Sequence, residues 1–246
     1  MERSLWTERL TKTSCPAWTC SICGKGFLSS YGETKFFLTA ASNAANRVSD
    51  SKYNHEFIVT AWAKCSNRKC EQKFAILGSG HNEKEFPDNP DSTSDLYFTP
   101  KACHPMPDII SIPHNVPKPI NELLKDSFKL FFIDTNSCAA KIRTSLEYLL
   151  DHFGIIRERT NSKGKSCELN LHARLAEYEK VEPNRASKLL AIKWLGNAGA
   201  HEHGNVNQDG LLDAYEIMEN VLKDIFCPRE PEITALANNL TNKYKP

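Results

Sequence analysis

The sequence predicts a mainly α-helical protein in which a bundle of five helices follows a small, β-rich, cysteine-containing module. Three observations predict this. Apolar residues recur at helical spacing from residue 119 onward, two close pairs of cysteines fall within the first 80 residues, and seven prolines crowd 31 residues between the two regions.

The 246 residues suffice for two domains, each burying a core. Apolar residues make up 40% and charged residues 25%, the profile of an ordinary globular protein. The formal net charge of +1 is evenly spread, with 13 Lys+Arg against 11 Asp+Glu in residues 1–104 and 18 against 19 in the remainder. Bulk charge therefore gives no ground for a nucleic-acid partner, and only a local patch could provide one. The absence of an 18-residue apolar run predicts no membrane span, and MERSLWTERL lacks the apolar core of a secretory signal. With nine cysteines, an odd number, and no export signal, the expectation is a cytoplasmic protein whose paired cysteines hold metal and form no disulfide framework.

The N-terminal module is expected over residues 1–80, with an insertion at 25–56. Cys20-Ser21-Ile22-Cys23 and Cys65-Ser66-Asn67-Arg68-Lys69-Cys70 are its two pairs. A tetrahedral zinc site needs four soft ligands, and short loops bring two thiolates to one side of a tight turn. Gly24 follows the first pair, where the chain must reverse. The second pair lies between strand-like runs at 57–63 and 73–77, which places it at a hairpin tip, the layout of a zinc ribbon. Cys20, Cys23, Cys65 and Cys70 are thus the expected ligands of one structural Zn2+. Cys15, and Cys103 with His104, are the alternatives. Lys64, Arg68, Lys69 and Lys73 surround the tip and would suit phosphates.

Residues 81–118, with Pro87, Pro90, Pro100, Pro105, Pro107, Pro113 and Pro117, read as a linker or extended arm, because proline fixes φ and removes a backbone donor. The bundle is expected over 119–228. Ile120, Leu123, Leu124, Phe128, Phe131 and Phe132 give the first apolar stripe; Ile142, Leu146, Leu149, Leu150 and Phe153 give the second, closed by Gly154. Helices over 168–180 and 185–201 follow, then one carrying Leu211, Tyr215, Met218, Leu222, Ile225 and Phe226 and stopped by Pro228. Residues 229–246 read as a C-terminal tail.

Within the fourth helix, Lys193, Asn197 and His201 stand at i, i+4 and i+8 and so share one stripe. A cation, an amide and an imidazole so arranged could hold a phosphodiester and move a proton. The block Gly196-Asn197 with His201, of form GN-x-x-x-H, resembles the signature of a bacterial branch of the HEPN superfamily defined only as a domain of unknown function. The proline-rich entry at 113–120 and Arg143-Thr144-Ser145-Leu146-Glu147 agree with it, so that the resemblance covers residues 98–227. It implies a HEPN-like helical bundle acting in bacterial defence or stress response, as a homodimer. It also implies RNA binding, with metal-independent endoribonuclease cleavage around His201, Asn197 and Lys193. Active HEPN nucleases carry an Arg four to six residues before the His. Here the cation is Lys193, seven residues intervene, and Lys cannot make the bidentate fork of Arg. The alternative is a non-catalytic module that dimerises or docks on a partner defence protein, with the ribbon as its recognition element.

Overall fold

A six-stranded antiparallel sheet occupies much of the N-terminal half and overturns the expected mainly α fold with a small β module. The chain is 46% helical and 22% strand. The structure, a computed structural model, describes residues 1–48, 55–84, 94–160, 164–200, 205–228 and 230–245. It divides into two compact units. One comprises Glu2–Ile109 with Phe128–Asp134; the other comprises Ile110–Ser127 and Thr135–Pro246, with Met1.

The first unit begins with the short helix α1 (Ser4–Thr7), followed by β1 (Leu10–Thr11), β2 (Leu28–Ser30), β3 (Lys35–Leu38) and α2 (Ala40–Val48), and then by the long strands β4 (Glu56–Cys65), β5 (Lys73–Lys84) and β6 (Ser94–His104). The sheet order is β1-β6-β5-β4-β2, and β3 pairs with the same edge of β4 that β2 uses. Side chains alternate across a strand. Val59, Ala61, Ala63 and Cys65 of β4 are accordingly buried, together with Phe74 and Ile76 of β5 and Phe98 of β6. Trp6 stacks on Trp18 at 5.1 Å and meets Phe131 edge-on at 5.7 Å, completing this core.

The proline-rich stretch read as a linker supplies the end of β5 and all of β6. Pro100 is accommodated because the β5–β6 register shifts between Leu77, paired with Ala102, and Gly78, paired with Pro100. An irregularity of this kind is where a residue without a backbone donor can sit inside a sheet. Gly78 has the complementary role, since a Cβ there would fall 2.7 Å from the Phe98 ring and 2.8 Å from the Thr99 carbonyl oxygen. The stretch at 25–56 contains β2, β3 and α2, and its residues 49–54 lie outside the described residues.

The second unit holds α3 (Lys118–Leu130), whose last residues count with the sheet unit, then α4 (Thr135–His152), the hairpin β7 (Glu158–Thr160) and β8 (Ser166–Glu168), α5 (Leu171–Glu179), α6 (Pro183–Ala200), α7 (Gln208–Phe226) and α8 (Glu230–Tyr244). Asn170 and Asn207 cap α5 and α7 by accepting from the amides of Ala173 and Gly210. The core is Ile142, Leu146, Leu149 and Leu150 of α4 with Leu189 and Ile192 of α6 and Leu211, Tyr215, Met218 and Leu222 of α7. Arg174, only 1% exposed, is held by Glu147 and Asp151 at 2.7 Å each and by the carbonyl of Ile155 at 2.9 Å. The stretch expected as a tail is the helix α8, whose Ile233, Leu236, Leu240 and Tyr244 are all exposed. No helix among the described residues is long and apolar enough to cross a membrane.

Candidate metal centre and a cation pair

Two tight turns bring the four expected cysteines together. The first, between β1 and β2, is closed by Cys20 N–H donating to Gly26 O and Gly24 N–H donating to Cys20 O, both at 2.8 Å. Gly24, at φ +62°, makes the left-handed step directly after Cys23. Gly26 is required for a different reason: a Cβ there would lie 2.4 Å from Cys65 Sγ and 2.9 Å from the Asn67 amide. The second turn joins β4 to β5, with the Cys70 and Glu71 amides both donating to Asn67 O. Glu71 takes the left-handed step after Cys70, at φ +51°.

The Sγ atoms of Cys20, Cys23, Cys65 and Cys70 all lie within 4.8 Å of one another, so these residues can hold a metal ion. Cys20 is 3.9 Å from Cys70 and Cys23 is 3.7 Å from Cys65. The thiols are differently poised. Backbone hydrogen bonds from Lys25 and Gly26 bring Cys23 down to about 6, whereas burial pushes Cys65 up to about 12 and raises Cys20. Asn67 adds N–H···S contacts, from its amide to Cys65 at 3.4 Å and from its side chain to Cys23 at 3.7 Å. The alternative ligands stay outside the cluster. Cys15 and Cys103 are half-buried thiols pushed up to about 11 and about 12, chiefly by burial.

Of the four cations expected around this tip, Arg68 and Lys69 are exposed on the turn. Lys64 pairs with Glu71 at 2.5 Å, and the Lys73 amine sits 4.9 Å from the Tyr31 ring centroid.

In the helical unit, the three residues of the expected stripe fare differently. Lys193 is buried, at 5% exposure, with its amine 3.2 Å from the ring centroid of the exposed Trp194. Asn197 Oδ1 accepts a 2.9 Å hydrogen bond from Arg143 Nε. His201 lies outside the described residues. The residue that sequence reasoning underrated is Arg143. Glu147, one turn further along α4, is taken by Arg174, and Arg143 reaches across to α6. Gly196 makes room for it, since a Cβ there would fall 2.4 Å from the Arg143 Cβ. The signal lay in Gly196 beside Asn197, a gap next to an acceptor, but nothing in the sequence says which helix fills it. Among the described residues no carboxylate pairs with Arg143 or Lys193. Burial, and then the Arg143 charge, draw the Lys193 amine below its usual value.

Residues 125–244 match a family model described as a domain of unknown function, DUF4145. Residues 8–102 match a second such description, DUF8608. The two matches fall on the helical half and the sheet with its cysteines, respectively. No curated protein and no solved structure matches the chain.

Proposed function

We propose that this chain is an RNA-binding protein whose sheet unit is stapled by one structural zinc ion and whose HEPN-like helical unit holds a phosphate of the RNA. Zinc is favoured by the donor set and its geometry. Four thiolates at a Zn–S distance of about 2.3 Å stand about 3.8 Å apart, and the Cys23–Cys65 and Cys20–Cys70 sulfur separations are 3.7 and 3.9 Å. Four protein ligands leave no position for a reacting water, so the ion's contribution would be to folding and not to hydrolysis.

The RNA reading is carried by the uncompensated pair Arg143 and Lys193. Asn197 fixes Arg143 through Nε, which leaves both terminal guanidinium nitrogens without a partner among the described residues. A planar fork beside a second cation is suited to two oxygens of one phosphate. The pair also supplies the arginine that the HEPN resemblance lacks on α6 itself. Cleavage on this reading would use His201 to move the 2′-hydroxyl proton while Arg143 and Lys193 neutralise the phosphate.

Binding of fluorescently labelled single-stranded RNA, measured against salt, tests the proposal. The combined Arg143→Gln, Lys193→Gln variant should weaken binding at least tenfold and reduce the log–log salt slope by about 1.4, from about 0.7 for each lost phosphate contact. An unchanged slope would remove the phosphate site. His201→Ala should retain binding and abolish any cutting seen during brief exposure to EDTA.

A further inference from the structure

The face of the sheet opposite its core is unusually apolar for an exposed surface. Along β4, Ile58 and Trp62 are 57% and 49% exposed and alternate with the buried Val59, Ala61 and Ala63. Register places Phe37 of β3 opposite Ile58, and Lys35 opposite Thr60. On the other side, Leu77 of β5 lies opposite Thr60, and Lys73 opposite Lys64. Where β2 ends, Tyr31 N–H donates to Trp62 O at 2.8 Å, which continues the ladder one step and sets Tyr31 beside Trp62. The face therefore carries three exposed aromatic rings, Tyr31, Phe37 and Trp62, interleaved with Lys35, Lys64 and Lys73.

We propose that this face is a base-stacking surface for single-stranded RNA. The inference rests on the RNA-binding reading above and adds to it a second site and the strandedness of the ligand. Rings exposed on a sheet offer π-faces to unstacked bases, and every base can use them. The rows of Trp62 and Phe37 lie four residues apart along β4, about 13 Å, within the footprint of a strand of a few nucleotides. Charge selects the occupant. Lys64 and Lys73 face each other directly, with the Glu71 carboxylate on Lys64 and within electrostatic reach of Lys73. Neither Lys35 nor Lys73 has an ion pair among the described residues, and the exposed carboxylate of Glu56 lies on the same face beyond Ile58, at the end away from Lys64 and Lys73. An apolar partner, a second copy of this chain included, would bury the Lys35 and Lys73 amines without an anion; a polyanion supplies one. Arg68 and Lys69 at the metal-bearing tip extend the same positive edge.

Because the three rings are exposed, they can be removed without touching the core. The full-length, metal-loaded protein is titrated with a fluorescently labelled 12-nucleotide oligouridine, its fold checked by circular dichroism and metal content. Trp62→Ala should raise Kd at least about fivefold with the salt slope unchanged, and Trp62→Phe should recover most of the loss. Lys73→Ala should lower the slope by about 0.7. Wild-type binding that Trp62→Ala and Phe37→Ala leave intact overturns the stacking surface while the RNA reading stands. No binding by the wild type overturns both. If these variants instead convert a dimer to a monomer in light scattering, with RNA affinity unchanged, the face is an interface between copies and the proposal falls.

Discussion

The four-cysteine cluster, which can hold a metal ion, and the Arg143–Lys193 pair are built in opposite ways. At the metal centre, backbone geometry does the placing. Two turns closed by main-chain hydrogen bonds, with left-handed residues after Cys23 and Cys70, bring four short side chains to one point. At the cation pair the backbones are two helices, α4 and α6, and long flexible side chains do the placing. Arg143 crosses from α4 to α6 through a gap left by Gly196 and is fixed by one hydrogen bond to Asn197. A site set by the backbone responds to change in an all-or-none manner, because moving one ligand moves the chain. One set by side chains should respond in proportion to what is removed.

The most severe test of that contrast is Cys65→Ser. With a ligand lost from a buried strand end, the sheet unit should lose its metal and unfold at room temperature, since structural zinc contributes on the order of 10 kcal/mol to such modules. Helical circular dichroism from the other unit should persist. A variant that keeps both metal and sheet would contradict the backbone-set description.

The next largest effect is expected inside the helical unit. Arg174→Ala takes a buried cation from Glu147 and Asp151, both partly exposed, and leaves Asp151 with Arg157; it should destabilise that unit by about 1–3 kcal/mol in urea unfolding. The Asp151 carboxyl is held below its ordinary range mainly by Arg157 and further by Arg174. A carboxylate with a depressed folded-state pKa stabilises above its unfolded pKa, and that stabilisation fades as pH falls through the lower, folded value. The wild-type unit should therefore weaken below about pH 4, and Arg174→Ala should flatten that dependence. An identical acid profile in both proteins would place the stabilisation elsewhere.

Gly26→Ala should cost about 1–3 kcal/mol, because the new methyl must displace Cys65 Sγ or the Asn67 amide. The effect belongs to the sheet unit and should be seen as a lower urea midpoint with metal still bound. Glu71→Gly sharpens the comparison from the other side. It relieves a left-handed non-glycine residue and removes only an exposed ion pair, so it should be neutral or stabilising by up to about 1 kcal/mol. A marked loss of metal in Glu71→Gly would mean that the Lys64–Glu71 pair supports the turn.

The same contrast explains what could be read from the sequence. The four cysteines were legible because each pair is local: two or four intervening residues fix the turn, and the flanking β-branched and aromatic runs fix the hairpin. The helices α3 to α7 were legible from their apolar period. The sheet was not. Its strand β6 carries Pro100 and follows a run of prolines, so proline chemistry argued for an extended arm, and only the register shift against Gly78 reveals how a strand tolerates it. The short strands β2 and β3 share one edge of β4, a pairing with no local sequence signature. Arg143 was invisible as a partner of Asn197 because 54 residues separate them and the link is one side-chain hydrogen bond. Lys193 lies on the same helix as Asn197 as the spacing required, but the residue is buried, and helical spacing alone does not say which stripe faces the neighbouring helices.

Folding is assigned to a metal held by four thiolates and RNA contact to side chains that do not ligate it, and zinc K-edge X-ray absorption of the purified protein tests that division most directly. It predicts four sulfur neighbours at about 2.3 Å, with the spectrum unchanged when saturating oligouridine is added. A nitrogen or oxygen neighbour in the first shell, or a shell that changes on addition of RNA, would contradict it.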